Sequence, residues 1–135
     1  MRIRVTFSDG ELDQLIAHLC LLADIMERSG ERVPFSLNMQ IGMLKERLDT
    51  ARRLKLASID FTFGESALIQ LEAALHTLSA SIERLADNNP QIDGTAEKAV
   101  EVGHACFALA GKLGDARCGA HQAKAEKKAA GGWWW

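Results

Sequence analysis

The sequence predicts a predominantly helical α+β fold, a tandem β-α-α repeat arranged as a pseudo-twofold domain with two short antiparallel strands and four main helices. Three observations predict it. First, the chain matches itself at an offset of 56 residues. Ile3, Thr6, Phe7, Leu12, Gln14, Leu15, Ala17, Leu19, Leu22, Glu27 and Arg28 recur as Ile59, Thr62, Phe63, Leu68, Gln70, Leu71, Ala73, Leu75, Leu78, Glu83 and Arg84. These are 11 identities in 26 aligned positions, where two unrelated amphipathic helices would share roughly two or three, and a fixed-offset repeat outranks local signals in a fold argument. Second, each copy opens on a strict alternation of apolar and polar residues. Third, each alternation runs directly into a long stretch of apolar residues at helical spacing.

Taken in order, residues 2–7 put Ile3, Val5 and Phe7 on one face and Arg2, Arg4 and Thr6 on the other, the pattern of a half-buried strand. Ser8 with Glu11 three residues on forms a capping box, and Leu12, Leu15, Ile16, Leu19, Leu22, Ile25 and Met26 carry helix one to about Arg28. Ser29-Gly30 closes it, Pro34 keeps the chain extended, and Ser36 is expected to cap helix two. That helix turns Ile41, Leu44, Leu48, Ala51 and Leu54 inward and Lys45, Arg47, Arg52, Arg53 and Lys55 outward. Residues 58–63 repeat the strand, with Ile59, Phe61 and Phe63 on the apolar face, and Gly64 stands where Ser8 stood before helix three, which carries Leu68, Leu71, Leu75, Leu78, Ile82 and Leu85. Pro34 falls on Pro90 at the 56-residue offset, so the register is expected to survive the linker. After the turn cluster Asp87-Asn88-Asn89-Pro90, Asp93 or Thr95 caps a fourth helix over about 96–112. Its small residues Ala99, Gly103, Cys106 and Ala110 recur three or four apart, which allows close approach of another helix.

A lone strand leaves its backbone groups unpaired, so the two strands pair with each other, or across subunits in a homodimer. The repeats 1–56 and 57–112 form one domain, 1–112. Residues 113–135 form an Ala/Lys-rich tail ending Gly-Gly-Trp-Trp-Trp, in which the Ala-rich run 120–130 with Lys124, Lys127 and Lys128 has almost no apolar face and is expected to be solvated or frayed. All three tryptophans, Trp133 to Trp135, sit there in a chain without tyrosine. The triplet reads either as an appended reporter sequence or as a native amphipathic anchor for a partner pocket or a membrane interface.

Composition narrows the function classes. A net charge of −2 and a sequence pI of about 6.1 supply no global basic field for nucleic acid or anionic lipid. Cys20, Cys106 and Cys118 are odd in number and lack framework spacing, which suits a reducing cytoplasm. The most apolar stretch, 12–26, is interrupted by Asp13, Gln14, His18 and Asp24 and falls short of a membrane span. His18/Cys20 and His104/Cys106 point about 200° apart on a helix and cannot chelate one ion, whereas Cys118 and His121 would share a face and could join a zinc site. No phosphate loop, nucleophile elbow or His-Glu-x-x-His motif is present, and no cofactor is implied.

The expectation is a non-enzymatic cytoplasmic interaction protein, a regulator or inhibitor whose partner is another protein. The candidate partner-binding residues are Lys45, Arg47, Arg52, Arg53 and Lys55, the densest basic patch, relieved by Glu46 and Asp49. The same patch contacting phosphates would make the protein a nucleic-acid-associated regulator. A small-ligand-binding pseudo-dimer, with a pocket at the axis between the repeats, is the third reading.

Overall fold

The computed structural model describes residues 1–91 and 93–131. Its elements run β1 (Arg2–Ser8), α1 (Asp9–Arg28), α2 (Phe35–Arg53), β2 (Ser58–Gly64), α3 (Glu65–Asn88) and α4 (Thr95–Gly131). Among the described residues the strands form one two-stranded antiparallel sheet. Its register sets Ile3 against Phe63, Val5 against Phe61 and Phe7 against Ile59. The central pair, Val5 and Phe61, joins residues 56 apart, and the flanking pairs exchange equivalent positions.

The alternation does what its period requires. Ile3, Val5, Phe7, Ile59 and Phe63 are buried beneath the sheet, and Arg2, Arg4, Thr6, Asp60 and Thr62 stand on the open face. Phe7 meets Phe63 edge to face at 6.4 Å, and Phe61 stacks on Phe63 at 4.4 Å. Below the sheet, α1 packs on α3 as well as on α2, and α3 packs along α4. Leu12, Leu15, Leu19 and Leu22 of α1 and Leu68, Leu71, Leu75 and Leu78 of α3 are all buried. Six of the 11 identical pairs therefore lie in the core on both sides: these four leucine pairs with Ile3/Ile59 and Phe7/Phe63. No charged or polar residue is buried among the described residues.

The helix ends follow local chemistry. At α1 the capping box forms, Ser8 Oγ accepting from the Glu11 N–H at 3.1 Å and Glu11 Oε1 accepting from the Ser8 N–H at 2.9 Å. The helix closes with the Glu31 N–H on the Met26 carbonyl and the Gly30 N–H on that of Glu27, Gly30 taking φ +75°. The end of α2 uses the same pair of bonds, Leu56 N–H to Ala51 and Lys55 N–H to Arg52, but here a lysine holds the left-handed position at φ 53°.

Four boundaries differ from the sequence reading. Pro34, not Ser36, is the N-cap of α2; its carbonyl accepts from the Leu37 N–H, and its fixed φ prepares the first turn. Leu54 is exposed rather than inward, because the helix ends at Arg53 and the chain turns away. Pro34 and Pro90 play different parts: α3 runs four residues past the position equivalent to the end of α1, so Pro90 lies in the loop and α4 starts only at Thr95. Finally, α4 does not stop near 112. Leu113 is fully buried, Ala116 and Ala120 pack against the core, and Arg117 pairs with Glu72 at 2.9 Å. Leu109, Leu113, Ala116 and Ala120 continue the apolar stripe three or four residues at a time, so nothing breaks the helix. Residues 121–129 are exposed, and Trp133 to Trp135 lie outside the described residues. The small residues of α4 serve the α3 contact: Cys106 and Ala110 are buried, and a Cβ at Gly103 would stand 3.4 Å from Ser79 Oγ.

Candidate functional site

The five basic residues singled out in the sequence are all exposed but do not form one surface. The α2 core face, Leu37, Ile41, Leu44 and Leu48, divides them. Lys45, Arg52 and Arg53 line a shallow depression together with Gly42, Glu46 and Asp49. Arg47 sits on the opposite flank of the helix and donates from Nη2 to the Asp60 carbonyl of β2 at 2.9 Å. Lys55 follows the helix in the left-handed conformation. Arg52 is bound to acid on α1: its Nε and Nη2 donate to the two Asp9 carboxylate oxygens at 2.9 and 3.1 Å, and Asp13 lies 3.6 Å away. The Arg52 hydrogen bonds hold the Asp9 carboxyl below its ordinary pKa, with the guanidinium charge adding to the effect. Most of the positive charge in this depression is thus answered by Asp9, Asp13, Glu46 and Asp49.

The remaining polar constellations tie helices together. Lys112 Nζ of α4 donates to both carboxylate oxygens of Glu11 at 2.9 and 2.8 Å and stands 5.4 Å from the Phe7 ring. The Lys112 hydrogen bonds, then that from the Ser8 backbone, lower the Glu11 pKa. His121 pairs with Glu65, and this hydrogen bond is the largest cause of the lowered Glu65 pKa. His121 is thereby directed to a carboxylate while Cys118 is exposed, and no group of three or more His, Cys, Asp or Glu placed to hold a metal ion occurs among the described residues. His18 Nδ1 donates to the Gln14 carbonyl, 2.6 Å away, and Cys20 packs at the core margin. His104 is exposed and Cys106 buried, as opposite faces of a helix require. Desolvation pushes the Cys106 thiol pKa up.

A surface that the charge pattern did not reveal lies on the other flank of α2. Phe35, Met39 and Met43 recur every four residues and are 81%, 50% and 50% exposed. Met39 and Met43, though not Phe35, face a groove of about 540 Å³ whose other wall is the edge of β2, Phe61 to Gly64. Met39, Met43 and Met1 give it flexible, polarizable walls, Leu44 and Ala67 its base, and Gln40 and Gln70 its polar points. Among the described residues, Arg2 is the one charged side chain lining it. The sequence did hold a signal: α2 carries two apolar stripes, 37/41/44/48/51 facing the core and 35/39/43 left exposed or half-exposed. Reading the helix by its densest charge overlooked the second stripe.

A smaller cleft of about 270 Å³ separates the C-terminal halves of α1 and α3, lined by Leu22, Ile25, Met26 and Leu85 with Arg84 and Glu31. Compared with protein-family models, with curated proteins and with solved structures, the chain matches none. No helix among the described residues is long and apolar enough to cross a membrane.

Proposed function

We propose that the protein is a non-enzymatic interaction module that acts as a regulator or inhibitor by docking another protein in the groove between α2 and β2. The observation that carries this reading is the half-exposed pair Met39 and Met43 facing the edge of β2 across the groove, with exposed Phe35 one turn before them on the same helix. Clustered apolar side chains of this size on a small protein mark contact surfaces, and methionine walls adapt to a partner's shape. Mixed charge in the depression around Arg52 argues against phosphate contacts there, because a phosphate would have to displace Asp9 from its guanidinium.

The scaffold is read as a fused pseudo-dimer produced by duplication. Support comes from the sheet register centred on Val5 and Phe61 and from the six shared core pairs. It comes also from the mirrored neighbours: α1 lies on α2 as α3 lies on α4, and α2 touches β2 as α4 touches β1. Strand pairing within the chain leaves a homodimer unnecessary for satisfying the strands. The free thiols Cys20, Cys106 and Cys118 fit the proposed cytoplasmic setting.

The test is affinity capture from a cell lysate with and without nuclease, using the wild type, Met39→Asp/Met43→Asp and Arg52→Glu/Arg53→Glu. One protein retained despite nuclease, lost with the methionine pair and kept with the arginine pair, is the expected result. Retention that needs nucleic acid, or that follows the arginine pair alone, overturns the reading.

A further inference from the structure

The groove has one wall made of backbone. β2 pairs with β1 on one side only, and the Asp60 carbonyl accepts from Arg47 of α2, so it points away from β1. In an antiparallel ladder, residues alternate between facing the partner and facing away, so Thr62 directs its N–H and carbonyl the same way as Asp60. Thr62 lines the groove, and it makes no hydrogen bond to another element among the described residues. Phe61, Thr62, Phe63 and Gly64 thus present about 13 Å of strand edge, at about 3.3 Å per residue. The charged side chain lining the groove is positive. It is Arg2, and Arg47 stands at the end of the edge, while neither neighbouring acid lines the groove: Glu65 pairs with His121, and Asp60 accepts from the Thr6 hydroxyl and keeps its charge.

From this geometry we propose that the groove takes an extended, acidic, apolar segment of a partner protein as a third strand on the free edge of β2. The inference rests on the docking reading above and specifies its partner. The segment's backbone pairs with Thr62, its apolar side chains on one face enter between Met39, Met43 and Phe61, and its carboxylates meet Arg2 and Arg47. Main-chain bonds supply register, and side-chain pockets supply choice, as in other strand-addition complexes.

The test is selection from a displayed random dodecapeptide library on the full chain, followed by affinity measurement on the enriched peptides. Peptides alternating apolar with acidic residues are expected. Thr62→Pro, which removes the outward N–H at a position where an edge strand tolerates proline, should weaken them about tenfold, whereas Thr62→Val should bind as wild type. Because a proline variant can fail to fold, the selected peptide is also made with alternate backbone nitrogens methylated, which should abolish binding to the unaltered protein. Arg2→Glu should turn the selection away from acidic peptides. Enrichment of helical spacing, insensitive to Thr62→Pro and to methylation but lost with Met39→Asp/Met43→Asp, overturns strand addition and leaves groove docking standing. Enrichment of basic peptides overturns the charge argument. Failure to enrich any peptide over the methionine double variant overturns both.

Discussion

At the scale of single residues, the two strand-to-helix junctions, β1 into α1 and β2 into α3, differ where chemistry is local. Ser8 and Glu11 build a capping box, whereas Gly64 and Ala67 at the equivalent positions supply no side-chain cap. Ser8→Ala should cost about 1 kcal/mol. Gly64→Ser, at a site with φ −69° and open space around a Cβ, should raise stability by a few tenths of a kcal/mol, both read from urea midpoints. Lys55 holds a left-handed conformation that favours glycine, so Lys55→Gly should stabilise by about 1 kcal/mol even though it removes one of the candidate basic residues. Glu11, Asp9 and Glu65 all have folded pKa values below their ordinary ones. A lowered carboxylate pKa contributes stability above the unfolded value and loses it as pH falls through the folded value. Wild-type stability should therefore drop below about pH 4.5, the ordinary value for Glu, more steeply than that of Glu11→Gln, which keeps the cap but carries no titrating carboxyl. Equal slopes in urea titrations between pH 7 and 3 would show that the Lys112 pairing does not act in solution. These local features were legible in part. Ser-x-x-Glu announces its own cap, but Lys55 carries no signal for φ above zero, because its conformation is set by how α2 must turn into β2.

At the scale of elements, the strands and the central helices α1 and α3 were the most legible, since alternation and 3.6-residue spacing are statements about which face is buried. The course of α4 was not. Its residues past 112 are alanine, lysine and glycine rich and show little amphipathic contrast on their own; Leu113 and Arg117 acquire meaning only against Leu109 and Glu72. The same neighbours give a direct test. Leu113→Ala should destabilise by about 2–4 kcal/mol, since the side chain is fully buried, and a chain ending at 121 should keep its thermal midpoint whereas one ending at 112 should not. Thiol chemistry reports the same packing: in the native protein a soluble alkylating reagent should modify exposed Cys118 quickly and Cys106 only on unfolding. Early modification of Cys106 would mean that α4 opens from α3.

At the scale of the whole molecule, the candidate site was less legible than the fold for a physical reason. Charge density along a helix is visible in a sequence, but neutralisation is not: Arg52 reads as free cation until Asp9 and Asp13 are placed across from it on α1. The apolar stripe Phe35, Met39 and Met43 gains meaning only once α2 is seen to bury its other face. The margin beside β2 holds the half-exposed Met39 and Met43. The most direct measurement is hydrogen–deuterium exchange of the full chain with and without the partner recovered by capture. Protection over residues 35–43 together with 61–64, and none confined to 45 and 52–55, is the predicted footprint. Protection restricted to the basic residues, with the α2–β2 groove exchanging as in the free protein, would contradict the account.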